Sequence, residues 1–281
     1  MPAPLTPVDV RVPVPGGELN VAVWGEPGGE PLLALHGITA SSRAWGAVAA
    51  AAGSLVAPDL RGRGGSVRGG PYGMAAHAAD CLAVLDHLGV GRARVVGHSM
   101  GAFVAAVLAM RHPARVARLV LVDGGAQLPP VADPEAALGP AAARLRMRFA
   151  DPLAYRDFWR RHPAFVRWSP AVTAYVDYDL VPDGDDYRSR VVEEAVRVDL
   201  LELHAGDLPR AAHAALPPGT PFVRAERGLL DEPVPLYPDP AALAPLDVRT
   251  VPGTNHYSVL FDNTGVAAVL AAVAGHPEKE R

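Results

Sequence analysis

A single cysteine, Cys81, is all the thiol this 281-residue chain possesses. An intrachain disulfide is therefore impossible, and a cysteine-built zinc site is excluded. No H-E-x-x-H, EF-hand loop or Cys/His cluster occurs either, so neither a metal nor another cofactor is expected. Charge of neither sign is in excess: 26 basic against 30 acidic residues leave a net charge of −4. That balance argues against nucleic acid or another polyanion as the main partner. Long apolar runs are missing too, since stretches such as residues 102–110 are too short to span a bilayer. The first 17 residues have no basic start followed by an apolar segment, so no secretory leader is expected and a reducing cytoplasm is the simplest setting. What remains is 49% apolar and 20% charged, the composition of a globular protein with a large core.

Local patterning gives an alternation of strands and helices. Val8–Val14 and Glu18–Trp24 alternate around a Pro-Gly-Gly turn and read as a hairpin. Pro31–His36 and Leu55–Pro58 are short continuous apolar runs, as strands covered on both faces should be. Arg94–Val96 and Arg118–Val122 read as further strands. Helices are predicted over Ser41–Ala52, where serines are available as caps, and over Met74–Leu88 and Ala102–Arg111. The rhythm breaks between about Gly124 and Pro218, where helical stretches (Ala136–Phe149, Pro152–Arg161, Ser189–Leu203) occur without a convincing strand. It resumes with Pro221–Arg224, a helix near Pro240–Ala244, the strand Asp247–Val251 and a helix from Val259 to Val273. Strand–helix alternation implies a mostly parallel sheet flanked by helices. The expected organisation is a core of residues 1–123 and 219–281 with a helical lid, 124–218, inserted between two sheet strands.

One motif carries chemistry. Gly97-His98-Ser99-Met100-Gly101 fits G-x-S-x-G between a predicted strand and a predicted helix. A serine lifted above a sheet edge needs a tight, strained turn, and residues two before and two after it then crowd each other, so both must be very small. The amide of Met100, at the helix N-terminus, would face a developing oxyanion. The turn Asp59-Leu-Arg-Gly-Arg-Gly-Gly-Ser66 is glycine-rich but lacks the Lys-[Ser/Thr] of a phosphate loop, and reads as structural.

The order His36-Gly37, Asp59 to Ser66, Gly97-His-Ser-Met-Gly101, Leu119-Val-Leu-Val-Asp123, a helical insert, Asp231 and a late His256 resembles the α/β-hydrolase family from about Val8 to Val273. The branches it looks most like are serine esterases, lactonases and carbon–carbon bond hydrolases; those that open epoxides or displace halide usually carry aspartate where this chain has Ser99. The resemblance implies a catalytic triad of Ser99 as nucleophile, His256 as base and Asp231 as acid. Asp123 is the alternative acid and Glu226 a weaker one. Ile38, after His36-Gly37, would supply the second oxyanion amide beside Met100. The other histidines (His77, His87, His112, His162, His276) lie at helices or in the tail, and His98 is expected to pack rather than react.

The insert holds most of the aromatic residues, and Trp159 and Trp168 are the candidates for walling a substrate pocket. It also carries Arg144, Arg146, Arg148, Arg156, Arg160, Arg161 and Arg167, which read mainly as solvated surface. The leading activity is hydrolysis of a small carboxylic ester or lactone. A carbon–carbon hydrolase acting on a β-diketone-like acid would need the same triad plus a carboxylate anchor, for which no residue stands out. A non-catalytic ligand-binding protein of the same fold is the distant alternative.

Overall fold

The computed structural model describes residues 6–128 and 143–275. The chain opens with β1 (Val8–Val14) and β2 (Gly17–Trp24), paired antiparallel around the predicted turn. β3 (Leu32–Leu35) and β4 (Leu55–Pro58) follow, every residue of both buried. Next come β5 (Ala93–His98) and β6 (Val116–Val122). After the insert, β9 (Pro221–Ala225) and β10 (Asp247–Val251) complete an eight-stranded sheet of order β1-β2-β4-β3-β5-β6-β9-β10. β2 runs antiparallel to both its neighbours, β1 and β4; across the sheet from β4 to β10 the strands are parallel. Both faces of β3 and β4 are covered, so they read as apolar runs rather than as alternating ones, whereas the edge strand β10 keeps alternating exposed positions.

Helices α1 (Gly46–Ala52), α2 (Met74–His87) and α3 (Met100–Arg111) flank the sheet, with the late helix Asn263–Ala274 on the α1 side. The serines before α1 do not cap it: the Ser41 and Ser42 hydroxyls have no hydrogen-bond partner, and the Ser42 amide donates instead to Asp59 Oδ1 at 2.7 Å. Asp59 also accepts from the Gly65 amide at 2.9 Å and the Tyr178 hydroxyl at 2.5 Å. The glycine-rich turn thus wraps a buried carboxylate, and Gly64, at φ +51°, lies so close that a Cβ there would sit 2.2 Å from it. A Cβ is excluded at that point on contact grounds as well as on backbone grounds.

The inserted segment departs from expectation in three places. A two-stranded antiparallel hairpin, β7 (Leu180–Asp183) with β8 (Asp186–Ser189), stands where no strand is predicted. Its strands are four residues long, one interrupted by Pro182, so alternation is too short to register. The turn chemistry is legible: Gly184 at φ +67° opens the two-residue loop, the position where a type II′ turn needs glycine. A helix over Pro170–Asp179 is also unpredicted, although Ser169 caps it by accepting from the Val172 amide at 3.3 Å and Pro170 holds its first position. A third element, the helix Asp207–Ala214, buries Ala212 in the cluster that contains α3, so it belongs with the core's flanking layer. The predicted helix Ala136–Phe149 falls partly outside the described residues; within them, residues 143–146 are helical. His276 lies outside them as well.

Candidate active site

β5 and β6 are neighbours, and their carboxyl ends place Ser99 and Asp123 side by side. Ser99 leaves β5 with φ 54° and ψ −123° before α3 begins at Met100. Non-glycine residues hold such a conformation only under strain, on the order of 1–3 kcal/mol. The glycines that flank it are required by contact. A Cβ on Gly97 would fall 2.2 Å from the Gly101 carbonyl oxygen, and one on Gly101 would fall 2.1 Å from that of Leu35. Gly124 is equally constrained, because a Cβ there would lie 2.3 Å from the Ser99 carbonyl oxygen.

His256 follows β10 and lines the same cavity as Ser99. Its Nδ1 lies 2.7 Å from Asp123 Oδ2, both side chains being almost completely buried. The other carboxylate oxygen, Asp123 Oδ1, accepts from the Ala225 amide at 3.1 Å. The structure therefore pairs Asp123, not Asp231, with the histidine. Asp231 is committed elsewhere: its Oδ1 accepts from Arg227 Nε at 2.8 Å and from Asn255 Nδ2 at 3.2 Å. It faces a separate depression of about 220 Å³ together with Arg167 and Arg227. Chain order placed both aspartates after strands on the correct side; which one the ring meets depends on how the loop after β9 turns. Glu226 is also occupied, accepting from the Gly253 amide at 2.8 Å.

His98 packs, as expected, but it and His36 also make hydrogen bonds that sequence reasoning did not foresee. His98 is buried, its Nε2 2.8 Å from the His256 carbonyl oxygen, so the ring donates to the loop that carries His256. Burial, with the neighbouring His256 acting in the same sense, holds its pKa well below that of an ordinary histidine and keeps it neutral. His36 is fully buried, and burial lowers its pKa to about 4 despite the opposing charge of Asp59. Its Nε2 accepts from the Leu60 amide at 2.9 Å, which leaves the proton on Nδ1, where it donates to the Gly37 carbonyl at 2.8 Å. In a trans peptide the Gly37 carbonyl and the Ile38 amide point in opposite directions. Fixing one by His36 fixes the other, with Ile38 at the cavity wall beside Ser99.

The cavity over Ser99 is small, about 70 Å³, and its walls are mainly apolar, with Tyr175, Leu229, Tyr257, Leu260 and Phe261 among them. Neither predicted tryptophan contributes. Trp159 is 2% exposed and sits inside a ring cluster with Tyr155, Phe158, Phe165 and Tyr175, where it holds the insert together. Trp168 donates to Thr173 Oγ1 at 2.8 Å and borders a shallow outer groove with Arg160. Tyr175, on the unpredicted helix, is the ring that the insert lends to the cavity. Four of the insert's arginines are paired within it: Arg144 with Asp179, Arg146 with Glu193, Arg148 with Asp183 and Arg156 with Asp177. None of them lines the cavity over Ser99. Among the described residues no helix is long and apolar enough to cross a membrane.

A mostly parallel sheet with a strained serine at the end of its central strand, and a histidine–aspartate pair beside it, defines the α/β-hydrolase fold. Comparison with known proteins agrees: residues 30–160 match the alpha/beta hydrolase fold family, and the chain has that fold. Among curated relatives, the lipase LipV of Mycobacterium tuberculosis is 37% identical over 164 residues, 58% of each chain. A 2-hydroxymuconate semialdehyde hydrolase of Pseudomonas putida is 41% identical over 97 residues, 33% of this chain and 34% of that one. The alignments thus span less than two thirds of these relatives. The crystal structure of E-2-(acetamidomethylene)succinate hydrolase superimposes with a TM-score of 0.79 at 25% identity, covering 95% of this chain and 99% of that one.

Proposed function

We propose that this protein is a serine hydrolase that cleaves a small carboxylic ester or lactone through an acyl-enzyme on Ser99. The observation that carries the reading is the buried 2.7 Å contact between His256 and Asp123 at the cavity that Ser99 also lines. With Nδ1–H donated to Asp123, Nε2 of His256 is the basic nitrogen and takes the Ser99 proton as Oγ attacks the acyl carbon. Asp123, which takes the acid's place that sequence reasoning gave to Asp231, holds the tautomer and stabilises the imidazolium. The amides of Ile38 and Met100 meet the oxyanion. One such donor is typically worth about 10²–10³ in rate. His256 returns the proton to the departing alcohol, then activates the water that releases the acid.

The segment between β6 and β9 acts as a cap, with Tyr175 its contribution to substrate fit. A cavity of this size and apolarity favours short, uncharged acyl groups. An acid substrate of a carbon–carbon hydrolase would need a cation at the wall, and among the described residues no arginine lines the cavity. A fluorophosphonate should label Ser99, and p-nitrophenyl esters of increasing chain length, run beside lactones, should show turnover that falls as the acyl chain grows. Absence of both labelling and turnover would instead favour a ligand-binding role.

A further inference from the structure

Arg63, in the glycine-rich turn, is buried and its guanidinium reaches three separate parts of the site. Its Nε donates to the Ile38 carbonyl at 2.9 Å, and a terminal nitrogen lies 3.8 Å from Met100 Sδ. Another terminal nitrogen lies 2.6 Å from Asp199 Oδ2. Asp199 belongs to the inserted helix Glu193–Ala205, and both side chains of this pair are completely buried. The same helix is seated on the core by further bonds: Asp199 Oδ1 accepts from the Gly73 amide at 2.7 Å, and Glu202 Oε2 from the Met74 amide at 2.9 Å. Just before it, the Val192 amide donates to the Gly62 carbonyl at 2.8 Å.

Two successive carbonyls of the loop before Ser99 are therefore pinned by side chains: Gly37 by His36 and Ile38 by Arg63. His36 is anchored wholly within the core, to Leu60. Arg63 is not. Its charge is balanced by the insert's Asp199, and a fully buried guanidinium deprived of that carboxylate would move or draw in water. We propose that Arg63 is a positioning residue for the oxyanion loop, and that its ion pair with Asp199 makes the alignment of the Ile38 amide depend on how the insert is seated. The inference rests on Ile38 serving as an oxyanion donor.

The test uses Arg63→Gln and the isosteric Asp199→Asn, each checked for a cooperative melt. Amide hydrogen exchange over residues 36–40 reads the loop directly, and steady-state hydrolysis of p-nitrophenyl acetate reads its use. Both variants should exchange faster in this loop. Both should lose about tenfold in kcat with KM within about twofold, as expected for misalignment of a donor used only in the transition state. Affinity for a trifluoromethyl ketone should fall in parallel with kcat/KM. Unchanged loop exchange in the folded variants would overturn the link. Because exchange needs no turnover, it decides the link even if the ester reading fails. Faster exchange with unchanged kcat, in an enzyme that fluorophosphonate labels at Ser99, would overturn the loop's role as oxyanion donor.

Discussion

His98, the residue before the proposed nucleophile, donates its Nε2–H across 2.8 Å to the backbone carbonyl of His256, the proposed base. Nucleophile turn and base loop are thus bonded to each other independently of the proton that passes between them. Replacing His98 by Ala should free the base loop, lower kcat about tenfold and cost about 1–2 kcal/mol of stability through the lost buried hydrogen bond. His98→Gln, whose amide can donate over a similar reach, should recover most of the rate. Equal kcat values for the wild type and the Ala variant would show that the base loop holds itself.

The two aspartates separate by rate. Asp123→Asn keeps the shape but favours the wrong tautomer of His256, and kcat should fall by about 10⁴-fold with KM little changed. Asp231→Asn should leave kcat within a few fold, since its contacts run to Arg227 and Asn255. The reverse order in steady-state kinetics would return the acid's role to Asp231.

Ser99 is held at φ 54°, ψ −123°, where glycine is at ease and serine is not. Ser99→Gly should abolish esterase turnover and raise stability by about 1 kcal/mol in urea unfolding. An inactive variant of lower stability would show that the serine side chain contributes more to packing than its backbone costs.

His36 makes stability sensitive to acid. Folded, it resists protonation until about pH 4; unfolded, it takes up a proton near 6.5. Between those values the unfolded chain binds the extra proton, so stability falls as pH drops from about 6.5 toward 4. His98 acts in the same direction. Urea midpoints taken across this range should decline in the wild type and decline less steeply in His36→Asn. Parallel slopes would remove His36 as a cause.

Most of the sheet was legible because buried parallel strands such as Leu32–Leu35 and Leu55–Pro58 leave apolar runs bounded by turns. The nucleophile turn was legible because Gly97 and Gly101 are forced by contacts at about 2 Å, which no other residue tolerates. The partner of His256 was not. Asp123 and Asp231 both follow strands, and both have positive φ, 45° and 64°, so local pattern treats them alike. Only the three-dimensional course of the loop that gives Asp231 to Arg227 distinguishes them. The pocket residues were hidden for a different reason. Aromatic content marks the insert as a whole, whereas Tyr175 faces the cavity and Trp159 faces its own neighbours because of where the helix Pro170–Asp179 lies, and that helix was not foreseen.

Every group assigned to bond breaking hangs from the ends of core strands, while among the described residues Tyr175 is the one insert side chain at the cavity wall. The proposed chemistry is thereby encoded outside the insert, while the cavity wall is shared between Tyr175 and core side chains such as Leu229 and Phe261. Gly124 marks the seam: it must stay glycine against the Ser99 backbone. A library confined to residues 143–177, leaving Tyr178, Val192 and Asp199 with their core contacts untouched, would vary the insert's side of the cavity while keeping the proposed reaction centre. Under the proposed function, a chain that keeps this core would change its substrate through the insert while keeping one way of cutting bonds.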